Sequence, residues 1–181
     1  AIIPARGGSK RLTRKNVLNF SGKPLIVWTI EAGLKSEYID QVIVSSDDNE
    51  ILDIAAEYGA DILKRPSELA SDTATSMDAV RHTIENFELH DYVVLLQGTS
   101  PLRDARHIDE AIRLLEEKKA DAVISVCEME HSPLWSNTLP EDGNMQGFLK
   151  DGSKRSQDLE TYFRLNGAIY ICQTQKLLKE N

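Results

Sequence analysis

The sequence predicts an α/β fold with a mostly parallel central sheet and helices on both of its faces. Short, nearly continuous runs of β-branched residues alternate along the chain with segments whose apolar residues recur at helical spacing. Strands that are buried on both faces give such continuous runs, and the alternation of strand and helix implies right-handed crossovers. The 181 residues, 41% of them hydrophobic, are enough for one domain with a sizeable core.

The first element is a strand that ends in a basic loop. The apolar residues 1–3 lead into a glycine-containing segment, residues 5–11, which we call the basic loop. The first thirty positions hold six Lys and Arg residues and no Asp or Glu. A strand that runs into such a loop can direct backbone N–H groups and cationic side chains at one polyanion, and phosphate is the obvious ligand.

Helices and strands then follow in turn. A helix is predicted to open at Pro24 and to carry Leu25, Trp28 and Ala32 inward. Two later helices have apolar residues at i, i+3, i+4 and i+7, which are Ile51, Ile54, Ala55 and Tyr58 in one and Ile108, Ala111, Ile112 and Leu115 in the other. Runs at 41–46, 92–97 and 122–126 predict strands that are buried on both faces. Ligands of such a sheet bind outside the carboxyl ends of its strands.

One segment interrupts the alternation, from about residue 129 to residue 163. It is rich in Pro, Asp, Gly, Ser and Asn, and it is too long for an ordinary connection. It also holds Trp135 and Phe148, and exposed aromatic side chains on an arm tend to pack against another chain. We therefore expect a dimerisation arm and a homodimer. The apolar run 166–172 then predicts a strand that rejoins the sheet as an edge or late strand.

Charge and composition exclude several classes of partner. The formal net charge is -8, and all 29 acidic residues follow the first thirty positions. The surface away from the basic loop should therefore repel nucleic acid and anionic membranes. Cys127 and Cys172 lie in apolar runs without metal-ligand spacing, which predicts reduced core thiols. With no secretory pattern and no apolar stretch of membrane-spanning length, a cytoplasmic protein is expected.

Four segments of the chain resemble, in order, the motifs of one family. They are residues 3–11 with the following Lys15-Asn16 pair, and residues 65–73, 95–103 and 164–170. They resemble the CMP-sugar-acid synthetases, and most closely the N-acylneuraminate (sialic acid) cytidylyltransferases. Four ordered motifs are far more specific than one glycine-containing loop. The resemblance implies a Rossmann-like nucleotidyltransferase fold, similar to that of the glycosyltransferase-A enzymes, in a single domain over residues 1–181 with the inserted arm.

The resemblance also implies a reaction and a nucleotide site. The anomeric hydroxyl of a 2-keto sugar acid would attack the α-phosphate of CTP, so that a CMP-sugar forms and pyrophosphate leaves. Phosphoryl transfer depends mainly on placing charge, and Arg6 and Lys15 match catalytic positions. The positions that match nucleotide-binding residues are Ala5, Arg6, Ser9, Lys10, Lys15, Asn16, Arg65, Ala74 and Ser76.

A second set of positions matches the sugar site of the family. These positions are Gln97, Thr99, Arg155, Arg164, Asn166 and Tyr170. The planar carboxylate of the sugar acid favours arginine, and Arg155 aligns with a family arginine that reaches this group from the neighbouring subunit. Its spacing to Arg164 is one residue longer than the family pattern. Trp135 stands where some members carry a lysine that faces the sugar, so the exact sugar acid stays open.

Mg²⁺ is the cofactor that the resemblance implies. The family's metal-binding aspartates lie nearer the C-terminus, beyond Asn181, so the C-terminal part of the family domain is expected to be absent from this chain. Asp47 and Asp48 follow a predicted strand and also precede a predicted helix. Helix capping is favoured over metal binding for this pair, and Asp72 has a similar interpretation as a helix-start residue.

Two alternatives remain open at this stage. In the first alternative, the enzyme transfers CMP to legionaminate, pseudaminate or Kdo. Kdo ranks lower because Kdo enzymes have a different opening loop without the Lys-Asn pair. In the second, the chain is a non-catalytic domain that binds CTP or CMP without consuming it. The missing metal motif is the feature that supports the second alternative.

Overall fold

A six-stranded sheet forms the centre of the fold in a computed structural model, which describes residues 1–8, 12–71, 73–88, 90–149 and 155–179. The strands are β1 (Ile2–Pro4), β2 (Asn19–Phe20), β3 (Lys23–Pro24), β4 (Ile43–Ser46), β5 (Asp61–Lys64), β6 (Tyr92–Leu96), β7 (Ala122–Glu128) and β8 (Phe163–Gln173). The helices are α1 (Leu25–Leu34), α2 (Asn49–Glu57), α3 (Ser76–Asn86), α4 (Ala105–Lys118) and α5 (Thr174–Lys179). The order of strands in the sheet is β5-β4-β1-β6-β8-β7, and β2 and β3 form a separate hairpin.

The sheet is mostly parallel, as the sequence predicts. β1 pairs in parallel with β4 and with β6, and β4 pairs in parallel with β5. β8 runs antiparallel to β6, with Leu96 opposite Ile169. β7 neighbours β8 at the edge of the sheet, where the Gln173 N–H donates to the Asp121 carbonyl (3.4 Å). The strand predicted from the apolar run 166–172 is confirmed by β8, which is longer than that run and lies between β6 and β7.

Helices cover both faces of the sheet, which confirms the predicted layers. Successive residues of β1 point to opposite faces, because side chains alternate along a strand. Ile3 packs into the larger core with residues of α1, α2 and α4, and Ile2 packs with Val80 and Ile84 of α3. Burial of each large aliphatic side chain in this core stabilises the fold by about 1.5–3 kcal/mol. No helix in the described part of the chain is long and apolar enough to cross a membrane.

The predicted inner face of α1 is confirmed at Ala32, which is buried in the core, and wrong at Leu25 and Trp28. The buried face carries Ile26, Val27 and Ile30, which have no exposed surface, whereas Leu25 and Trp28 are only partly buried. Trp28 turns toward the hairpin, where its Nε1–H donates to the Phe20 carbonyl (2.9 Å). Most of this helix is apolar, so the spacing of its residues does not select one face.

Two further expectations differ from the structure. The segment 122–126 was predicted to be buried on both faces, but Ile124 in β7 is 48% exposed because this strand lies at the sheet edge. Cys127 and Cys172 are both free thiols, and both are partly exposed, so the prediction that they belong to the core is wrong.

The chain divides into two compact units. The first comprises Ala1–Ser125 and Gly167–Asn181, and it contains β1, β4, β5 and β6 with the helices that cover them. The second comprises Val126–Asn166, within which the predicted arm lies. The role of the arm in dimerisation stays a prediction.

Candidate active site

The carboxyl ends of the parallel strands lie along one edge of the sheet, where open α/β sheets bind their ligands. β1 ends at Pro4, β4 at Ser46, β5 at Lys64 and β6 at Leu96. The residues that directly follow these ends include Arg6, Asp47, Arg65 and Gln97. The sheet therefore brings together side chains that are far apart in the sequence.

A pocket of about 320 Å³ opens at this edge, beside the first turn of α3. It brings together four of the predicted nucleotide-binding residues, which are Arg6, Arg65, Ala74 and Ser76. The other lining residues are Pro4, Leu69, Ala70, Ser71 and Thr75. Thr75 is the N-cap of α3, and its hydroxyl accepts a hydrogen bond from the Asp78 N–H (3.1 Å) while the Asp78 carboxylate accepts from the Thr75 N–H (2.7 Å). This capping box fixes the wall of the pocket that carries Ser76.

The pocket contains two guanidinium groups, and this charge favours an anionic ligand. Arg65 is 5% exposed, and its Nε–H has no hydrogen-bond partner within the described ranges. Burial lowers the pKa of Arg65, Asp47 partly offsets this effect, and the nearby charge of Arg6 lowers the pKa further. The Arg6 Nη1–H donates to the Ser71 carbonyl (3.1 Å). An anion that binds here would offset the burial of Arg65 and the repulsion that it experiences from Arg6.

Acidic residues that follow β4 hold the start of the basic loop. The Gly7 N–H donates to Asp47 Oδ1 (3.1 Å). A Cβ atom at Gly7 would lie only 3.0 Å from the Asp48 Cβ and 3.1 Å from its Cγ, so this position requires glycine. Arg14 pairs with Asp48 and Glu50. The hydrogen bond from Arg14 is the main reason why the pKa of Asp48 lies below its ordinary value.

The capping interpretation is confirmed for Asp48. Its side chain accepts a hydrogen bond from the Ile51 N–H (3.3 Å) at the start of α2. Among the residues that the structure describes, no group of three His, Cys, Asp or Glu side chains could hold a metal ion. Asp47 and Asp48 are both engaged by loop groups, so this pair does not offer Mg²⁺ a ligand set in the described part of the chain, and the requirement for Mg²⁺ stays a proposal. We derive no step of the mechanism through this ion.

Three further nucleotide candidates that the structure describes do not line this pocket. Asn16 is 6% exposed, and its Nδ2–H donates to the Arg6 carbonyl (3.1 Å), so it holds the backbone that carries Arg6. Ala5 is buried, and its N–H donates to the Ser45 carbonyl (2.9 Å). Lys15 is half-buried at the start of a short 3-10 helix, Lys15–Val17, and no carboxylate in the described ranges pairs with its ammonium group. Ser9 and Lys10 lie outside the described residues, as does Asp72.

Three candidates for the sugar site lie in the first unit. Gln97 and Thr99 are exposed in the turn after β6, residues 97–103, which we call the Gln97 turn. Tyr170 is half-buried on β8, opposite Leu95. The Gln97 side chain lies directly against Gly167, where an added Cβ would be 2.6 Å from Gln97 Oε1. Gly167 has a φ of +77°, a conformation that favours glycine.

The other three sugar-site candidates lie in the second unit. Arg155 is largely exposed, and its Nε–H donates to Asp158 Oδ2 (3.0 Å). Arg164 lies on the exposed beginning of β8. The Asn166 Nδ2–H donates to the Val126 carbonyl (3.1 Å). The binding roles of these three residues stay predictions.

Thr29, Asp47 and Arg103 support predicted site segments, a role that the sequence does not predict for them. All three are buried or partly buried and contact the backbone of a predicted site segment. Arg103 and Gly167 stand inside motifs that resemble the family, and that position was the available signal. Nothing in the sequence indicates a supporting role for Thr29, because it lies in a mostly apolar helix and belongs to no recognised motif.

Comparison with known proteins agrees with this geometry. A family model described as cytidylyltransferase matches residues 1–173 of this chain. The chain belongs to the cytidylyltransferase family. This result confirms the family resemblance that the four motifs carry.

Curated relatives of this chain differ in the sugar acid that they are named for. The N-acylneuraminate cytidylyltransferase of Escherichia coli O18:K1:H7 is 40% identical over 98% of this chain and 43% of its own length. The chain thus spans less than half of that relative. The pseudaminic acid cytidylyltransferase of Campylobacter jejuni serotype O:23/36 is 36% identical over 99% of this chain and 80% of its own length.

A solved structure confirms the fold. A CMP:2-keto-3-deoxy-manno-octonic acid synthetase complexed with CTP superposes with a TM-score of 0.76, covering 98% of this chain and 75% of that one. At 20% sequence identity this similarity shows the fold alone. The predicted nucleotidyltransferase fold is therefore confirmed for this chain.

Proposed function

We propose that this cytidylyltransferase activates a 2-keto sugar acid, N-acetylneuraminate or a close relative, with CTP to give the CMP-sugar and pyrophosphate. The pocket that joins Arg6 and Arg65 to the first turn of α3 carries the proposal. A pocket with two cations and the hydroxyl of Ser76 suits the ribose, cytosine and phosphates of a nucleotide. The 40% identity to N-acylneuraminate cytidylyltransferases supports this choice of sugar acid.

In the proposed reaction, the anomeric oxygen of the sugar acid forms a bond to the α-phosphorus of CTP. The bond from that phosphorus to the bridging oxygen of the β-phosphate breaks, pyrophosphate leaves, and the hydroxyl proton passes to solvent. Lys15 and Arg6 would stabilise the negative charge that develops on the phosphate oxygens. Lys15 suits this role because no described carboxylate neutralises it, in contrast to the adjacent Arg14.

The related acids legionaminate and pseudaminate are the second candidates for the substrate. The CMP-N,N'-diacetyllegionaminic acid synthase of Legionella pneumophila is 36% identical, and this chain spans 79% of its length. All of these acids carry the carboxylate for which Arg155 is proposed, so the common chemistry does not distinguish them. The choice among them therefore requires a direct assay.

The assay measures pyrophosphate release from CTP by the protein, with N-acetylneuraminate, legionaminate, pseudaminate and Kdo offered separately. Release that depends on N-acetylneuraminate supports the proposal, and release with another acid alone names that acid instead. CTP binding without release for any acid would favour a non-catalytic nucleotide-binding domain. Parallel reactions without Mg²⁺ test the metal requirement. Both this requirement and a cytoplasmic location of the protein stay proposals.

We also propose that the protein acts as a homodimer in which Arg155 serves the active site of the partner. In the second unit, Leu139, Met145 and Leu149 are 61%, 56% and 44% exposed, and such apolar surface favours contact with another protein chain. Trp135, Met145, Gly147, Phe148 and Leu149 together line one open cavity of this unit.

Mixing two inactive variants tests this arrangement. A hybrid of Lys15→Ala and Arg155→Ala subunits would contain one complete site if Arg155 acts across the interface. Random mixing at equal amounts should then restore about a quarter of the wild-type rate, because half of the dimers are hybrids with one active site. No recovery in a verified hybrid would contradict an action of Arg155 in the partner's site.

A further inference from the structure

Arg103 is a buried arginine at the end of the Gln97 turn. Its side chain is 6% exposed, which is rare for a charged residue. Burial lowers its pKa to about 10, so the guanidinium group still carries its charge at neutral pH. Its Nη2–H donates to Thr29 Oγ1 (3.1 Å) and to the Gln97 carbonyl (3.4 Å).

Several donors converge on the Gln97 carbonyl. The hydroxyl of Thr29, which is fully buried in α1, donates to it (3.3 Å), and so does the Ser100 N–H (3.3 Å). The Arg103 N–H also donates to the Ser100 carbonyl (3.2 Å), which closes the turn. These hydrogen bonds from the protein interior and from the turn itself fix the backbone of Gln97, while its side chain is exposed and lies against Gly167.

The stability of the fold does not by itself explain an arginine at this position. Its Nε–H and Nη1–H are buried and have no hydrogen-bond partner within the part of the chain that the structure describes. Burying a cation with unpaired donors is costly, and an apolar side chain of similar volume often serves stability equally well or better. The hydrogen bonds that Arg103 does make lead to the one turn that carries Gln97 and Thr99.

We propose that Arg103 and Thr29 form a positioning pair that fixes the Gln97 amide for recognition of the sugar acid. The inference rests on the proposed function, in which Gln97 contacts the sugar acid. Small displacements of a binding group weaken recognition strongly, because hydrogen bonds require close distance and alignment. The pair acts on the sugar acid through Gln97 and does not touch the nucleotide pocket, whose lining residues include neither of its members.

The test measures the KM values for CTP and for the sugar acid in Arg103→Met and Thr29→Val. We expect the KM for the sugar acid to rise about tenfold in Arg103→Met, because the loss of one charge-assisted hydrogen bond has an effect of this size. The KM for CTP should change less than about twofold. Thr29→Val should give a smaller change in the same direction. Arg103→Lys should recover part of the loss, because its ammonium group also donates hydrogen bonds.

Asp109→Asn supplies a matched control at another buried polar contact. Asp109 is 6% exposed, and its Oδ1 accepts hydrogen bonds from the Ser36 hydroxyl (2.5 Å) and the Glu37 N–H (3.1 Å). This change should lower the melting temperature without separating the two KM values. A variant at Arg103 that behaves like this control would overturn the positioning role.

A double-mutant cycle with Gln97→Ala gives the sharpest result. If Arg103 acts through Gln97, then Arg103→Met adds little to the rise in the sugar-acid KM once Gln97 is already alanine. Additive effects would overturn the inference. If Arg103→Met does not fold, the same cycle with Thr29→Val decides the question. Wild-type protein that releases no pyrophosphate with any acid would contradict the proposed function, whereas active wild type with additive variants contradicts this inference alone.

Discussion

The basic loop and the Gln97 turn both follow parallel strands at the same edge of the sheet, but different forces hold them. The basic loop is held from the side by Asp47 and Asp48, and the Arg14 that pairs with Asp48 is 38% exposed. The Gln97 turn is held from below by Arg103 and Thr29, both inside the protein. Exposed ion pairs respond to pH and salt far more than buried hydrogen bonds do. We therefore expect changes in the basic loop to alter the use of CTP and to depend on pH and salt. Changes in the Gln97 turn should instead alter the use of the sugar acid.

The largest effect is expected for Lys15→Ala, beside the basic loop. Loss of one group that stabilises developing charge should lower kcat about 10²- to 10³-fold, with a smaller loss of CTP affinity. Steady-state kinetics together with a CTP titration measures both quantities. Lys35→Ala is the control, because this exposed lysine pairs with Glu31 on the surface of α1. Equal losses of turnover and affinity would remove Lys15 from a transition-state role.

Gly167→Ala should give the next largest effect, on the side of the Gln97 turn. The new Cβ would collide with the Gln97 amide, and the φ of +77° strains any other residue by about 1–2 kcal/mol. We expect a rise of about tenfold in the KM for the sugar acid, since one hydrogen bond of Gln97 would be lost.

Gly59→Ala separates strain from contact in this experiment. Gly59 has a φ of +86°, but a Cβ there would meet only the Leu34 side chain, at an ordinary 3.8 Å. It should lower the melting temperature to a similar degree and leave both KM values unchanged. A rise in the sugar-acid KM in both variants would assign the effect to general loss of stability.

Gly7→Ala should affect CTP and leave the sugar acid unaffected. The Asp48 side chain cannot move away from a new Cβ without weakening its bond to Arg14 and its cap of α2. We expect the KM for CTP to rise several-fold and stability to fall by about 1–3 kcal/mol, as in other overpacked sites. Comparison of the two KM values checks this prediction. An increase confined to the sugar acid would contradict the assignment of the loop to the nucleotide.

The pH dependence of stability should be stronger for the contacts of the basic loop. Because Arg14 lowers the pKa of Asp48, this pair stabilises the fold fully above the ordinary carboxyl pKa of about 3.9. The contribution is lost as the pH falls through the lower pKa of the folded state. Asp48→Asn keeps the cap and removes the charge. Denaturation midpoints of the two proteins should thus differ at pH 6 and converge toward pH 3, and a constant difference would contradict this cause.

The smallest effect is expected for Gly98→Ala in the Gln97 turn. Gly98 has no positive φ, and a Cβ there would make ordinary contacts, at 3.5 Å from Asn16 Oδ1 and 3.6 Å from Ile26 Cγ1. The change should stabilise the protein by about 0.4–1 kcal/mol, because it restricts the unfolded chain. Thermal denaturation measures this gain. Destabilisation comparable to that of Gly7→Ala would contradict this prediction and show that the basic loop and the Gln97 turn are packed equally closely at their glycines.

The family resemblance identified four of the residues that line the pocket beside α3, and three of them lie close together in the sequence. Arg65 and Ala74 lie between β5 and α3 and Ser76 begins α3, whereas Pro4 and Arg6 come from the end of β1 and the loop that follows it. The Thr29–Arg103 pair was not predictable, since its members are separated by 74 positions and meet only when α1 packs beside β6. Local patterns identify local sites, whereas such pairs depend on the complete fold.

The fold shows the same division between local and tertiary information. Ile108 and Ile112 mark the face of α4 correctly, because charged residues occupy its other side. The mostly apolar α1 gives no such contrast, so its buried face follows from packing alone. The sequence of β7 likewise does not indicate that this strand lies at the edge of the sheet. For this reason the predicted burial of Ile124 is greater than the observed burial.

The most direct test of this account is a crystal structure of the protein with bound CTP. The account predicts that cytosine and ribose occupy the pocket between Arg65 and the first turn of α3, that the triphosphate extends past Arg6 toward Lys15, and that the Gln97 amide stays against Gly167. Cytosine bound at the Gln97 turn, or phosphates away from Arg6 and Lys15, would contradict the division of the two substrates between the two loops.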